Sequence, residues 1–322
     1  MGNLASFLQS EFPQHVPAGW SCSPEFYILP PDLSELLGYS SKVDVLLERE
    51  CDHKRLWIEF EVSRADPVAN HVKFATSHLF QPQREGDVFI SMISSHVTRG
   101  RRNLASNTIC LMREVGMNAF QTVLLPYLPP CEIKRINHLE RELIAREPLD
   151  IAAEISRAMV VSEAVIDEPD KKLYFASDLL DVFLNLRRWN AEISSDGLAL
   201  EKWGRRTIKY FVFDPFSHEF APSKFCAYLG KTRNIEEGSR SYFSYRFAMT
   251  INFYVTLDGV YSRFDGHRAK SHLTQGLGMK SVYASESDSM STFFERWLKS
   301  RSHAIRVHPK GPIFLVSPEW FR

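Results

Sequence analysis

The stretch 56–63 constrains the fold most, because it places two acidic residues in a segment that otherwise has the composition of a buried β-strand. Trp57 and Phe60 belong to the residue types that favour strands. Side chains alternate along a strand, so Glu59 and Glu61 point to the same face. Two carboxylates this close need a counter-charge, and a divalent cation supplies one directly. The sequence therefore predicts a strand that carries a pair of metal-binding acids.

A second acid-bearing strand precedes this one. Residues 42–47 form a short apolar run that contains Asp44, and residues 48–55 are almost all charged or His. Such a polar interval without apolar periodicity predicts a hairpin turn. The two strands would then lie side by side and bring Asp44 close to the acid pair. Magnesium prefers oxygen ligands and keeps several waters, one of which can become the nucleophile in phosphodiester hydrolysis.

These residues resemble the PD-(D/E)xK nuclease superfamily, in which an acid on one strand is followed by [D/E]-x-K on the next. Glu61 occupies the lysine position here, as in a variant with Glu-x-Glu-[Ser/Thr] followed by Asn-x-x-Lys on a helix. Asn70 and Lys73 fit that helix motif, and Lys73 would replace the strand lysine. The resemblance covers about residues 25–130. It implies a restriction-endonuclease-like α/β core with a mixed sheet.

The resemblance also implies an active site. Asp44, Glu59 and Glu61 would hold Mg²⁺, with Mn²⁺ able to substitute, and Lys73 would act on the attacking water or the phosphate. Glu35 fits, by its order in the chain, a glutamate that often joins the site from the preceding helix. A solvated helix acid is the alternative for Glu35. For the acid pair, the alternative is the solvent face of an edge strand.

The element order after the acid pair predicts a central mixed sheet. Residues 67–80 show helical spacing, 87–93 and 119–125 predict strands, and a helix is expected from about 106 to 115. The interval before that helix predicts a basic loop that holds DNA phosphates beside the metal. The candidate DNA-binding residues in it are Arg99, Arg101, Arg102 and Asn103. An ordinary solvated loop is the alternative.

A charged, proline-containing stretch at 167–172 is the expected boundary between two domains. Residues 1–168 would form the nuclease domain with a helical extension, and residues 169–322 a second α+β domain for DNA recognition or oligomerisation. The second region interleaves aromatic and basic residues, and its candidate DNA contacts are Arg205, Arg206 and Arg246. The alternative places these aromatics in the core and the arginines at the surface.

Composition limits the other options. Lys plus Arg equals Asp plus Glu at 39 each, so a nucleic-acid partner must be bound by local clusters of basic residues. The five cysteines form no CxxC pair, which argues against a disulfide framework or a zinc cluster and indicates a reducing cytoplasm. No signal-peptide pattern or long apolar run is present. We therefore expect a cytoplasmic protein without a membrane partner.

The leading hypothesis is a divalent-metal-dependent DNA endonuclease, of the restriction type, that acts on double-stranded DNA. A nuclease-fold protein that binds or regulates DNA without cutting it is the principal rival, since the strand lysine is missing. A nuclease for RNA or single strands is disfavoured by the resemblance alone. A homodimer remains open.

Overall fold

The computed structural model describes residues 2–63, 67–84, 86–164, 166–168, 171–176, 178–195, 205–224, 228–232, 247–248 and 266–321. The chain forms two compact units, and the division falls between Ser162 and Glu163. Both contain helices and sheets, which confirms the α/β class with a further domain. No helix in the described ranges combines the length and apolar character needed to cross a bilayer.

The first unit contains five strands and seven helices among its described residues. The strands are β1 (Trp20–Tyr27), β2 (Lys42–Arg49), β3 (Arg55–Glu61), β4 (Val88–Ser94) and β5 (Ala119–Leu124). The helices are α1 (Asn3–His15), α2 (Pro31–Leu37), α3 (Val68–Phe80), α4 (Arg99–Glu114), α5 (Pro130–Asn137), α6 (Arg141–Ile144) and α7 (Ile151–Ser162).

These strands form one mixed sheet in the order β1-β2-β3-β4-β5. β1, β2 and β3 are antiparallel neighbours, whereas β3, β4 and β5 run parallel and are joined through α3 and α4. β3 thus lies inside the sheet, and both Glu59 and Glu61 are buried. The edge-strand alternative for the two acids is therefore wrong.

Helices cover both faces of the sheet. On the face that carries the acids, α3 and α4 pack over an apolar cluster that includes Trp57, Phe74 and Phe89. On the opposite face, α7 contacts the central strands, and Phe12 of α1 packs edge-on against Phe60 with ring centroids 4.9 Å apart. The acid pair therefore lies within a three-layer core.

The helix predicted at 67–80 is confirmed as α3, but the basic loop predicted before Ser106 is wrong. Those residues form the first turns of α4, which begins at Arg99. Gly100 and the run of arginines suggested a loop from local propensity. Tertiary packing overrides that preference, because Val97 and Ala105 bury against Ile93 of β4 and hold the start of the helix on the sheet.

The described part of the second unit contains ten strands. They are β6 (Ile166–Glu168), β7 (Lys171–Phe175), β8 (Arg206–Ile208), β9 (Tyr210–Asp214), β10 (Glu219–Pro222), β11 (Tyr228–Thr232), β12 (Phe247–Ala248), β13 (Lys280–Tyr283), β14 (Ile305–Val307) and β15 (Ile313–Val316). Its α-helices are α8 (Leu179–Ser195), α9 (Gly266–Ser271) and α10 (Asp288–Lys299); a π-helical turn follows α9, and short 3-10 turns precede α10 and end the described chain.

Two four-stranded sheets and one strand pair organise this unit, in the orders β10-β9-β15-β13, β12-β11-β7-β6 and β14-β8. Its core is strongly aromatic, with Phe220 packed against Phe294 and Trp297. Within the charged stretch expected as a domain boundary, Glu168 of β6 lies opposite Lys171 of β7.

Phe89 tests how strongly the first unit depends on its sheet core. Its ring is fully buried and lies 4.5 Å, centroid to centroid, from that of Phe74. We expect Phe89→Ala to lower the free energy of unfolding of this unit by about 3–5 kcal/mol, because it deletes contacts and leaves a cavity. Native-state hydrogen exchange at the amides of β3 and β4 measures the loss.

Phe80→Ala is the matched control, since this phenylalanine ends α3 and is exposed. It should change the free energy by no more than about 0.5 kcal/mol. Equal effects of the two substitutions would contradict the packing described here.

Candidate active site

Asp44 lies where β2 and β3 separate. The β2–β3 pairing ends at Val45 and Ile58, and beyond it the backbone N–H of Phe60 donates to Oδ2 of Asp44 at 2.7 Å. The Gln9 amide of α1 donates to Oδ1 at 2.6 Å. Burial raises the pKa of Asp44 above its usual value, and these two hydrogen bonds act in the opposite direction by favouring the ionised form. The carboxylate is therefore held rigidly by both of its oxygens.

Glu59 follows the ladder one step beyond Ile58 and meets Asp44 across the strands. Burial raises the pKa of Glu59 well above its usual range, and the negative charges of Asp44 and Glu61 raise it further. A hydrogen bond between the Glu59 and Asp44 carboxyl groups raises the pKa of Glu59 and lowers that of Asp44. Two carboxyl groups this close titrate as a coupled pair.

Asn70 and Lys73 of α3 lie beside the acid pair, as their spacing on one helix face predicted. Nδ2 of Asn70 donates to Oε1 of Glu61 at 3.0 Å and approaches Oε2 of Glu59 at 3.4 Å. Lys73 is exposed, and its positive charge partly offsets the rise in the pKa of Glu59. The helix therefore supplies both an amide that bridges the carboxylates and a cation next to them.

A row of polar side chains continues from these acids across the sheet. Ser91 of β4 lies beside Glu59 in the register, and Gln121 of β5 lies beside Ser91. Among the described residues, the Ser91 hydroxyl and the Gln121 carbonyl oxygen are buried without a hydrogen-bond partner. Buried polar atoms are rarely left so. This position next to Glu59 thus has unused capacity for a further polar ligand.

Sequence reasoning chose the wrong residue from the helices that precede Asp44. Glu35 lies exposed on α2, and the hydrogen bonds that hold Asp44 come from Gln9 and Phe60. Gln9 was missed because it is an uncharged residue in a helix distant in sequence. The one signal in the sequence was the position of Gln9 on an otherwise apolar face of α1.

The donor set fits a hard divalent cation. In the described ranges, no three His, Cys, Asp or Glu side chains form a ready-made metal cluster. Asp44 and Glu59 are instead hydrogen-bonded to each other. Together with Glu61 and the partnerless Ser91 hydroxyl, they offer only oxygen donors, the preference of Mg²⁺ and Mn²⁺.

The arginines at the start of α4 divide into two groups. Arg99 and Arg101 are exposed and Asn103 is partly exposed, whereas Arg102 is buried and donates to the Ser95 carbonyl at 3.2 Å. Burial and, to a smaller extent, the neighbouring Arg99 charge lower the pKa of Arg102 to about 10. Arg102 therefore serves packing in this structure, which leaves Arg99 and Arg101 to contact a ligand.

The candidate residues of the second unit are only partly described. Arg205 is exposed, Arg206 is half-buried on β8, and Arg246 lies outside the described residues. Tyr210, one of the interleaved aromatics, is buried in the core beneath Lys209. Tyr210 therefore agrees with the alternative that places these aromatic residues in the core.

Compared with known family models, characterised proteins and solved structures, the chain matches none. The site must therefore be judged on its own geometry.

The raised pKa of Glu59 predicts that the stability of the first unit depends on pH. Glu59 titrates near 4.5 in an unfolded chain and well above that value in the folded one. Its stabilising contribution is therefore complete below pH 4.5 and is lost as the pH rises through the folded pKa. Glu59→Gln, a neutral replacement of equal shape, should stabilise the first unit at about pH 8 and lose that advantage towards about pH 4.

Denaturant midpoints measured across this range, without added metal, test the expectation. Glu50→Gln is the control, because Glu50 is exposed in the turn between β2 and β3. An unchanged gap between Glu59→Gln and wild type at every pH would show that folding does not shift the pKa of Glu59.

Proposed function

We propose that this chain is a divalent-metal-dependent DNA endonuclease of the restriction type, acting on double-stranded DNA. The observation that carries the proposal is the meeting of Asp44, Glu59 and Glu61 in a buried cluster beside Asn70 and Lys73 of α3. Structural acids rarely gather in a core without cations to pair them. The most direct reason for such a cluster is a cation that it holds during the reaction.

Each residue has a chemical task in this proposal. The cation, when bound, lowers the pKa of water and stabilises charge on a phosphate. Asp44 is kept in one orientation by Gln9 and by the Phe60 N–H. Asn70 orients Glu61. Lys73, on the exposed side of α3, offers its positive charge to the phosphate on which negative charge develops.

The start of α4 supports a polyanionic substrate. The helix follows β4, and the Ser94 hydroxyl at the end of β4 donates to the Val62 carbonyl at the end of β3. Exposed Arg99 and Arg101 therefore lie towards the end of the sheet at which the acid-bearing strand β3 ends. The helix dipole stabilises anions at the first turn of a helix and destabilises cations there. A phosphate bound at that helix end would be attracted by both the arginines and the dipole.

The finer expectations remain part of this proposal. Arg205, Arg206 and Arg246 are proposed to contact the duplex. We also propose that the protein works in the cytoplasm, which is consistent with its scattered cysteines. A homodimer, in which each copy acts on one DNA strand, is a natural arrangement for a restriction enzyme.

The rival is a nuclease-like protein that binds DNA without cutting it. Glu61 occupies the position of the family's lysine, which favours this rival. An Asp44–Glu59 pair that stays hydrogen-bonded and never binds a cation would favour it as well. Calorimetric titration with Mg²⁺ or Mn²⁺ separates the two: metal binding that is lost in Asp44→Asn supports the enzyme. Salt-sensitive DNA affinity without any metal binding supports the rival.

A cleavage assay on mixed methylated and unmethylated DNA with Mg²⁺ or Mn²⁺ tests the activity. We expect Asp44→Asn and Glu59→Gln each to lower the cleavage rate by more than about 100-fold, since even indirect metal contacts cost 10–100-fold. Glu50→Gln, on the exposed turn, should cleave like wild type. Full activity of Glu59→Gln would show that the site is wrong even if cleavage is real.

Arg101 tests the role of α4 in DNA binding. Arg101→Ala should weaken DNA affinity about equally for all sequences and reduce the slope of log affinity against log salt by about one, as expected for one lost phosphate contact. Arg146→Ala, another exposed arginine of the first unit, is the control. Fluorescence anisotropy over a salt series measures both. An identical salt slope in wild type and Arg101→Ala would exclude α4 from the interface.

A further inference from the structure

A cavity of about 730 Å³ lies in the first unit, beside the acid cluster and separate from it. Three segments enclose it: the end of β1 with the start of α2, the beginning of β3, and the turn after α3. The lining residues that matter here are Phe26, Tyr27, Arg55, Trp57 and Gln83. Its volume is within the range of sites that bind small molecules.

The cavity offers flat aromatic surfaces that the fold itself does not fully use. Trp57 is buried, and the Phe26 ring meets it edge-on at 5.9 Å between centroids. Phe26 and Tyr27 nevertheless remain 41% and 56% exposed. Single exposed rings are common, but adjoining exposed rings that line one cavity form an apolar patch of the kind that often marks a binding site. A flat, partly apolar ligand that stacks on them would cover this surface.

Two lining residues carry polar atoms that lack partners. Trp57 Nε1, a donor, and Gln83 Oε1, an acceptor, are buried, and neither has a hydrogen-bond partner among the described residues. Buried polar groups are nearly always satisfied. Their presence together indicates a ligand that combines a flat ring with both an acceptor and a donor.

The charge of the cavity favours a neutral ligand. Arg55 is the one charged residue among its described lining residues, and one edge of its guanidinium, formed by Nε and Nη2, is bound to both carboxylate oxygens of buried Asp87, with Nε to Oδ1 at 2.8 Å. The guanidinium also lies over the Trp57 ring, 5.0 Å from the centroid. Arg55 is thus fixed and largely neutralised, so it extends the flat stacking surface and adds little net charge.

The position of the cavity identifies the ligand class. Trp57 and Glu59 are two residues apart on β3 and share one face, a spacing of about 7 Å. A polynucleotide held by its phosphate at the acids could therefore place a nearby base over Trp57. A nucleobase is flat, neutral, and carries acceptors and donors along one edge.

We propose that this cavity receives one unstacked nucleobase of the nucleic acid bound at the acid cluster. The inference rests on the proposed function and narrows its substrate to DNA that presents a base outside the helical stack, either extruded from a duplex or in a single strand. A base inside a regular duplex is stacked on both sides and cannot enter.

The test compares two ligands in the presence of Ca²⁺ instead of Mg²⁺ or Mn²⁺, so that a cation links the phosphates to the acids. One is a fluorescent single strand of about 12 nucleotides, and the other is a chain of equal length with abasic sugars throughout. Anisotropy titration of the full-length protein should show about tenfold tighter binding of the strand with bases. Phe26→Ala and Tyr27→Ala should each remove most of this advantage and leave the affinity for the abasic chain unchanged.

Phe80→Ala is the matched control, because Phe80 is as exposed as Tyr27 but does not line the cavity. It should retain the full preference for bases. Equal affinity for the two chains, or equal behaviour of all three variants, would overturn the inference.

The outcome is separable from that of the proposed function. DNA cleavage without any preference for bases would refute the cavity assignment alone. A base preference that depends on Phe26 and Tyr27 in a protein that never cleaves DNA would uphold the cavity and refute the nuclease.

Discussion

The first unit depends on the contact between Asp44 and Glu59 across two antiparallel strands. Three buried carboxyl groups in one core would repel each other if all were ionised, and burial together with this repulsion raises the pKa of Glu59. Gln9 and the Phe60 N–H hold Asp44, and Asn70 joins the third acid to helix α3. These amides offset part of the cost of burying the acids. A bound cation would relieve the same repulsion.

The sequence was sufficient for the parts of the site that have strong local patterns. Alternation placed Glu59 and Glu61 on one face, the polar turn paired their strand with that of Asp44, and helical spacing located Asn70 and Lys73. In each case local preference and tertiary packing agree, so the pattern survives folding.

The remainder could not be predicted because it depends on packing between distant segments. Gln9 reaches Asp44 across 35 positions, which no local pattern records. The start of α4 was predicted as a loop because Gly100 and charged residues disfavour a buried helix end, yet Arg102 is buried through a bond to the Ser95 carbonyl. Arg246 lies outside the described residues, and its prediction stands as made.

The most direct test of the central claim is the number of protons released when metal binds. Isothermal titration of Mn²⁺ at neutral pH, repeated in two buffers with different ionisation enthalpies, measures it. If a cation takes the oxygens between Asp44 and Glu59, wild type should release about one proton per bound ion, and Glu59→Gln should release none and bind more weakly. Metal binding without proton release, or equal release by Glu59→Gln, would contradict the account.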